Sequence, residues 1–274
     1  MNPYRFPAAA LAAALCFSVP GLPAGPGPVA AQDVARIVSG GMRPGWRTET
    51  GTHVAALHLH LAENWKTYWR APGDGGIPPR FDWSGSENLG AMTLHWPRPV
   101  AFDQGGLRSI GYRDELVLPM EFEIIDPAAP ARLSGTMELG VCETICIPVT
   151  LRLSAELSVT GRNDPVIRAA LAEVPGPARA LGLTGVDCAV EPIRDGVRLT
   201  AELQMPSLGA QEVVVFELPD AEVWISESRS ERQGDRLRAA ADMVPPGGAP
   251  FAVDRSQLRI TVIAEDRAAE HQGC

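Results

Sequence analysis

From His53 to Leu61 apolar and polar positions alternate: Ala55, Leu57, Leu59 and Leu61 fall on one face, and Ala56, His58 and His60 on the other. A period of two is that of a strand with one face buried. The longest strict alternation sets Val149, Leu151, Leu153, Ala155, Leu157 and Val159 against Thr150, Arg152, Ser154, Glu156, Ser158 and Thr160. Met137, Leu139 and Val141 share a face over 136–141. Shorter strand signals lie at 65–70, 81–83, 92–96 and 116–124. Residues 37–46 form a lead-in, and 71–79 and 99–110 are turn-rich loops. His58 and His60 project together from the open face. Two histidines without a third donor read as a solvated face, so no metal is expected there.

The pattern changes at 164–181. Asp164-Pro165 can cap and start a helix, and Val166, Ile167, Ala170, Leu171 and Val174 follow at helical spacing until Pro175-Gly-Pro177 ends it. From Val186 a second series of strands begins, at 197–203, 212–218, 222–226, 237–241 and 257–264. Strands at this spacing with turn signals between them predict a second sandwich. The expected organisation is all-β: a first domain over 32–160, a linker with one short helix over 161–185, and a second, smaller β-domain over 186–274.

Composition adds the compartment. The chain has 274 residues, 45% hydrophobic and 21% charged, which is enough for one or two domains with cores of their own. A net charge of −9 offers no basic surface for nucleic acid. Arg5, the apolar run from Ala8 to Val19 and the small residues Val29-Ala30-Ala31 have the form of a secretory signal over 1–31, which carries Cys16 away with it. Leu15 stands where a lipoprotein signal wants a small residue, so no lipid anchor is expected. No later stretch approaches the roughly 20 apolar residues of a membrane helix. The mature chain is expected to be exported and not membrane-spanning.

Four cysteines then remain, Cys142, Cys146, Cys188 and Cys274, and an oxidising compartment makes them disulfide candidates with three possible pairings. Cys142 and Cys146 lie in a turn between two strands that read as antiparallel neighbours, and Pro148 closes it. A bridge between them would close a small ring, stabilising by about 2 kcal/mol in the chain-entropy model. A Cys188–Cys274 bridge would close a long loop, for about 4.6 kcal/mol, and tie down a terminus. The economical division is one structural bridge, Cys188–Cys274, and one exchangeable pair, Cys142–Cys146. Two other readings of the short pair stay open. It could be a hairpin clip in a non-catalytic interaction module. It could also be a soft Cu(I) site helped by a methionine such as Met120 or Met137. The turn itself offers no lysine, and its nearest formal charge is Glu143. That suits a relay between better-activated partners.

Five stretches carry a resemblance: Trp65-Lys-Thr-Tyr-Trp-Arg-Ala-Pro-Gly-Asp74, Ile77-Pro-Pro79, Phe81-Asp-Trp83, Ile110-Gly-Tyr-Arg-Asp-Glu-Leu-Val-Leu-Pro119 and Cys142-x3-Cys146-Ile-Pro148. In this order they resemble the N-terminal periplasmic domain of the disulfide reductase DsbD and the related ScsB-type proteins. The resemblance implies an immunoglobulin-like β-sandwich whose cysteine pair takes electrons from a membrane domain and reduces periplasmic partners. It implies no cofactor. It implies a cap loop over 102–112, with Tyr112 at its end. The family's capping aromatic falls on Gly105, which leaves Phe102 or Leu107 to stand in for it. Tyr68 matches a tyrosine near the family's pair. The second domain resembles the second β-domain of ScsB-type proteins, which implies docking or scaffolding. No eight-helix electron-conducting domain and no thioredoxin domain is legible in the sequence. The implied donor is therefore a separate membrane protein of the DsbD or CcdA type, and the implied acceptors are thioredoxin-like or disulfide-bearing periplasmic proteins.

Overall fold

The computed structural model describes residues 31–104, 106–219 and 221–274. The expected secretory signal, apart from Ala31, and the family's capping position at Gly105 lie outside the described residues. Nearly all regular structure is β, arranged as two sandwiches in sequence.

The first sandwich follows a short helix, α1 (Ala31–Ile37). Its strands are β1 (Val38–Arg47), β2 (His53–Leu61), β3 (Lys66–Tyr68), β4 (Arg80–Asp82) and β5 (Leu89–Leu94), then β6 (Val100–Gln104), β7 (Leu107–Arg113), β8 (Glu115–Ile124), β9 (Ala131–Cys142) and β10 (Cys146–Leu157). One sheet has the order β1-β2-β8-β5 and the other β10-β9-β3-β7-β6, with β4 also pairing with β9. The alternation read from the sequence sets the register: Leu57 opposes Leu118, Leu59 opposes Leu116 and Ala55 opposes Met120. All six are buried. From the facing sheet Leu133, Met137, Leu139, Val141 and Val149 complete the core with Trp69 and Phe122.

Two segments depart from the expected pattern. The lead-in is a full strand, β1, paired along β2. The loop at 99–110 is mostly a hairpin, in which Val100 opposes Gly111 and Phe102 opposes Ser109. β6 is the last strand of its sheet. An edge strand that blunts itself with charge carries no apolar stripe to announce it.

Helix α2 (Pro165–Ala172) starts where expected. The Asp164 side chain accepts from the Val166 N–H at 2.9 Å, and Pro165 takes the position that needs no N–H. Its Ile167 packs on Val54 and Ala56 of β2. The polar-face positions of β2 are therefore covered at one end and open at the other, where His58 and His60 stand.

The second sandwich contains β11 (Gly176–Pro177), β12 (Gly185–Ile193), β13 (Gly196–Gln204), β14 (Val213–Glu217) and β15 (Trp224–Ile225), then β16 (Arg229–Gln233), β17 (Arg236–Val244), β18 (Arg259–Ile263) and β19 (Ala268–Gln272). Its sheets run β11-β19-β18-β14 and β12-β13-β17-β15, with β16 also on β17. Gly176-Pro177, expected only to end a helix, adds a parallel edge strand beside β19, a place where a missing N–H is tolerated. The stretch expected as linker thus already contributes to the second unit. Cys188 and Cys274 are joined, Cα–Cα 5.8 Å, tying β12 to the chain end beyond β19 and so one sheet to the other.

The β14-containing sheet is buried on both faces. Val214, Phe216, Ile260 and Val262 enter the core of the second sandwich. Their odd-numbered neighbours Val213 and Ile263, with Ala268, join the apolar cluster of the first.

Candidate redox site at the β9–β10 hairpin

β9 and β10 keep one unbroken register from Ala131 opposite Leu157 to Cys142 opposite Cys146. Glu143, Thr144 and Ile145 make the turn. Directly opposed residues of an antiparallel pair bring their side chains together. The two cysteines, Cα–Cα 4.1 Å, are joined as a disulfide. The three-residue spacing is what a continuous ladder and a short loop demand of two cysteines that must meet.

The two sulfurs have different surroundings. β10 is an outer strand and β9 an inner one, flanked on its other side by β3. Cys142 is 1% exposed, whereas Cys146 is exposed. Pro148 follows Cys146 on the same face of this outer strand, opposite Gly140, and its missing N–H blunts the edge beside the pair.

β3 supplies the rest of the site. Lys66 opposes Cys142 in register, so their side chains leave the same face of the sheet, and Tyr68, two residues on, does likewise. The Tyr68 hydroxyl donates to Cys142 Sγ at 2.9 Å. It lies 3.4 Å from Cys146 Sγ and 3.3 Å from the Gly75 carbonyl. Glycines make room for the ring: a Cβ on Gly140 would lie 3.2 Å from Tyr68 Cε2, and one on Gly76 would lie 2.9 Å from Tyr68 Cδ1. Burial pushes the Tyr68 phenol pKa up, so the group stays an O–H donor.

A lysine that the turn itself does not offer stands opposite Cys142 in register. Lys66 lies beside Cys142, donates to Ser109 Oγ at 3.3 Å and sits 5.2 Å from the centroid of the Phe102 ring. Arg113 lies on the same ring at 4.5 Å. Burial, with Arg113 adding to it, holds the Lys66 pKa below its usual value. Only the pairing of β3 with β9, which the intervening sequence does not announce, brings this lysine to the cysteines.

The other expected supports separate. Phe102 is buried and serves as the shelf under the two cations, while Leu107 is 56% exposed near the hairpin tip. Tyr112 points into the core, stacking on Trp96 and donating to the Pro97 carbonyl at 2.7 Å. Met120 and Met137 are both core residues, so neither offers its sulfur on the face that carries the disulfide. On the opposite sheet the structure adds Glu115 to His58 and His60. Glu115 bonds His58 Nε2. Arg43, itself held by Asp164 at 2.8 Å, stands 3.3 Å from His58 Nδ1. A guanidinium on the second ring nitrogen satisfies this histidine and opposes a further cation.

Residues 43–158 match the family model described as "Thiol:disulfide interchange protein DsbD, N-terminal". A search of curated proteins found no match. Among solved structures, the crystal structure of the N-terminal periplasmic domain of ScsB from Proteus mirabilis is similar, with a TM-score of 0.64 and 26% sequence identity. The likeness covers 85% of this chain and 90% of that one. Among the described residues no helix is long and apolar enough to cross a membrane. The sandwich that carries Cys142 and Cys146 thus matches the DsbD N-terminal family of thiol–disulfide interchange domains, and the chain as a whole is similar in fold to the ScsB N-terminal domain.

Proposed function

We propose that the chain is a periplasmic electron relay of the protein-disulfide reductase type. In this reading Cys142 and Cys146 take two electrons from a separate membrane donor and pass them to disulfide-bearing or thioredoxin-like partners. In the forward step the Cys146 thiolate attacks one sulfur of the partner's disulfide and displaces the other as a thiolate. Cys142 then attacks Cys146 Sγ in the mixed disulfide and releases the partner's second thiolate. The pair ends oxidised, and a donor dithiol reverses the sequence.

The observation that carries this reading is the asymmetry of the pair: one exposed cysteine, and one buried cysteine whose sulfur lies under a hydroxyl donor. Exchange needs one sulfur that an incoming partner can reach. The other must leave as a thiolate, and a buried thiolate is stabilised by a hydrogen-bond donor aimed at it. Tyr68 has that geometry toward Cys142.

Trapping tests it. With Cys142→Ala, Cys146 should form a lasting mixed disulfide with a thioredoxin-like partner, visible on a non-reducing gel. With Cys146→Ala, no adduct should accumulate and the fold should persist. Equal trapping through either cysteine would remove the assigned roles. Loss of folding in Cys146→Ala would make the pair a structural clip.

A further inference from the structure

We infer that the second sandwich positions the redox site through Arg70 and Arg108; the inference rests on the relay reading of the pair. Arg70 follows Tyr68 by two residues and opens the 71–79 loop, whose Gly75 carbonyl faces the Tyr68 hydroxyl. Its guanidinium donates to both carboxylate oxygens of Glu217, at 2.8 and 3.0 Å, and also to Glu270. Glu217 ends β14 and Glu270 lies in β19, so this grip belongs wholly to the second sandwich. Bidentate pairing fixes orientation as well as distance. Little of the Arg70 and Glu217 side chains is exposed, 19% and 11%, so solvent screens the contact weakly.

Arg108 makes a second attachment. It sits on β7, pairs with Glu227 of the second sandwich at 2.8 Å and with Asp103 of its own hairpin at 3.3 Å. The hairpin and the 71–79 loop are fastened to each other. Ile110 N–H donates to the Pro72 carbonyl at 2.9 Å. Gly73, at φ +77°, has the Arg108 carbonyl 3.0 Å from where a Cβ would stand. Each of the two segments beside the cysteine pair is thus held from the second sandwich by its own arginine–glutamate contact. A cleft of about 460 Å³ is lined by residues of both attachments, with Pro72 and Gly76 from the first sandwich and Phe216 and Trp224 from the second.

The consequence falls on one proton. The Tyr68 hydroxyl can donate to Cys142 Sγ or to Gly75 O, and the loop position decides how strongly Gly75 competes. Arg70 and Arg108 touch neither sulfur; they are positioning residues that act through the loop and Tyr68. Releasing the grip should free the hydroxyl for the leaving sulfur and quicken opening of the disulfide.

The test uses the full mature chain with dithiothreitol, which needs no physiological partner. Reduction of Cys142–Cys146 is followed by alkylation and mass spectrometry in wild type, Glu217→Gln, Glu227→Gln and the double variant. The expected result is reduction about threefold faster in the double variant, a change of the size that a partly screened ion pair controls. It should vanish when Tyr68→Phe is introduced into the same background. Unchanged rates would overturn the inference. So would an acceleration that persists without the tyrosine hydroxyl, which would signify simple loosening. Glu227, on the rim of the contact, gives a variant that does not threaten folding. Failure here with intact trapping of partners would leave the relay standing, and the converse would leave the positioning contacts standing.

Discussion

At the scale of single residues, reactivity turns on a phenol with one proton and three acceptors in reach. A hydrogen bond to a charged group contributes about 1.5–3 kcal/mol, and only part of that charge has developed on Cys142 as the disulfide opens. Tyr68→Phe should therefore slow attack at Cys146 by about five- to tenfold, with the fold unchanged because the ring still fills the space beside Gly76 and Gly140. Stopped-flow reduction by a thioredoxin-like dithiol measures it, and an unchanged rate would remove Tyr68 from the mechanism. The sequence alone marks the two cysteines, since nothing else explains their spacing at the end of so regular a pair of strands. Tyr68 enters there only through the family resemblance. Lys66 does not enter at all: it reaches Cys142 across a strand pairing, and that pairing joins segments with most of the first sandwich between them.

At the scale of elements, legibility follows burial. β2 and β10 have one face on the core and announce themselves by alternation. β6 and the start of β7 lie at or beside a sheet edge, where polar residues are compatible with pairing, and the sequence alone reads 99–110 as loop; β16, off the main path of its sheet, is not marked as a strand. β2 also holds a group that makes the first sandwich sensitive to acid. His53 is fully buried. Its Nε2–H donates to the Pro44 carbonyl at 2.6 Å, and Nδ1 has no partner among the described residues. Burial, seconded by Arg47, holds its pKa below the ordinary 6.5. The unfolded chain therefore takes up a proton that the folded chain resists. The resulting stability is fully present above pH 6.5, falls as pH drops below it, and levels off once pH passes the lowered folded value. Glu121 and Asp164, whose pKa values are lowered, lose their contribution only further down, in the carboxylate range. His53→Gln keeps a donor for Pro44 without titrating. It should flatten the slope of stability between pH 7.5 and 5.5, read from urea midpoints, and an unaltered slope would assign the acid sensitivity to another group.

At the scale of the whole molecule, the two disulfides answer opposite needs. Cys142–Cys146 lies in one hairpin, with one of its two residues exposed. Cys188–Cys274, 86 residues apart in sequence, binds the two sheets of the second sandwich. Removing the long bridge with Cys188→Ser/Cys274→Ser should cost about 4.6 kcal/mol in the chain-entropy account. The loss should not stay local, because Val213, Ile263 and Ala268 of the second sandwich belong to the apolar cluster of the first, and Arg70 bonds across to Glu217 and Glu270. Five of the chain's six tryptophans, all but Trp224, lie in the first sandwich, so their fluorescence reports its unfolding separately from the circular dichroism of both. If the interface couples the units, the tryptophan midpoint in urea falls along with the circular-dichroism midpoint in the double variant. It should stay in place when mild dithiothreitol opens Cys142–Cys146 alone. A tryptophan transition that ignores the loss of Cys188–Cys274 would mean two independently folding sandwiches. Contacts between such units could not hold Tyr68 and its loop in register with the cysteine pair.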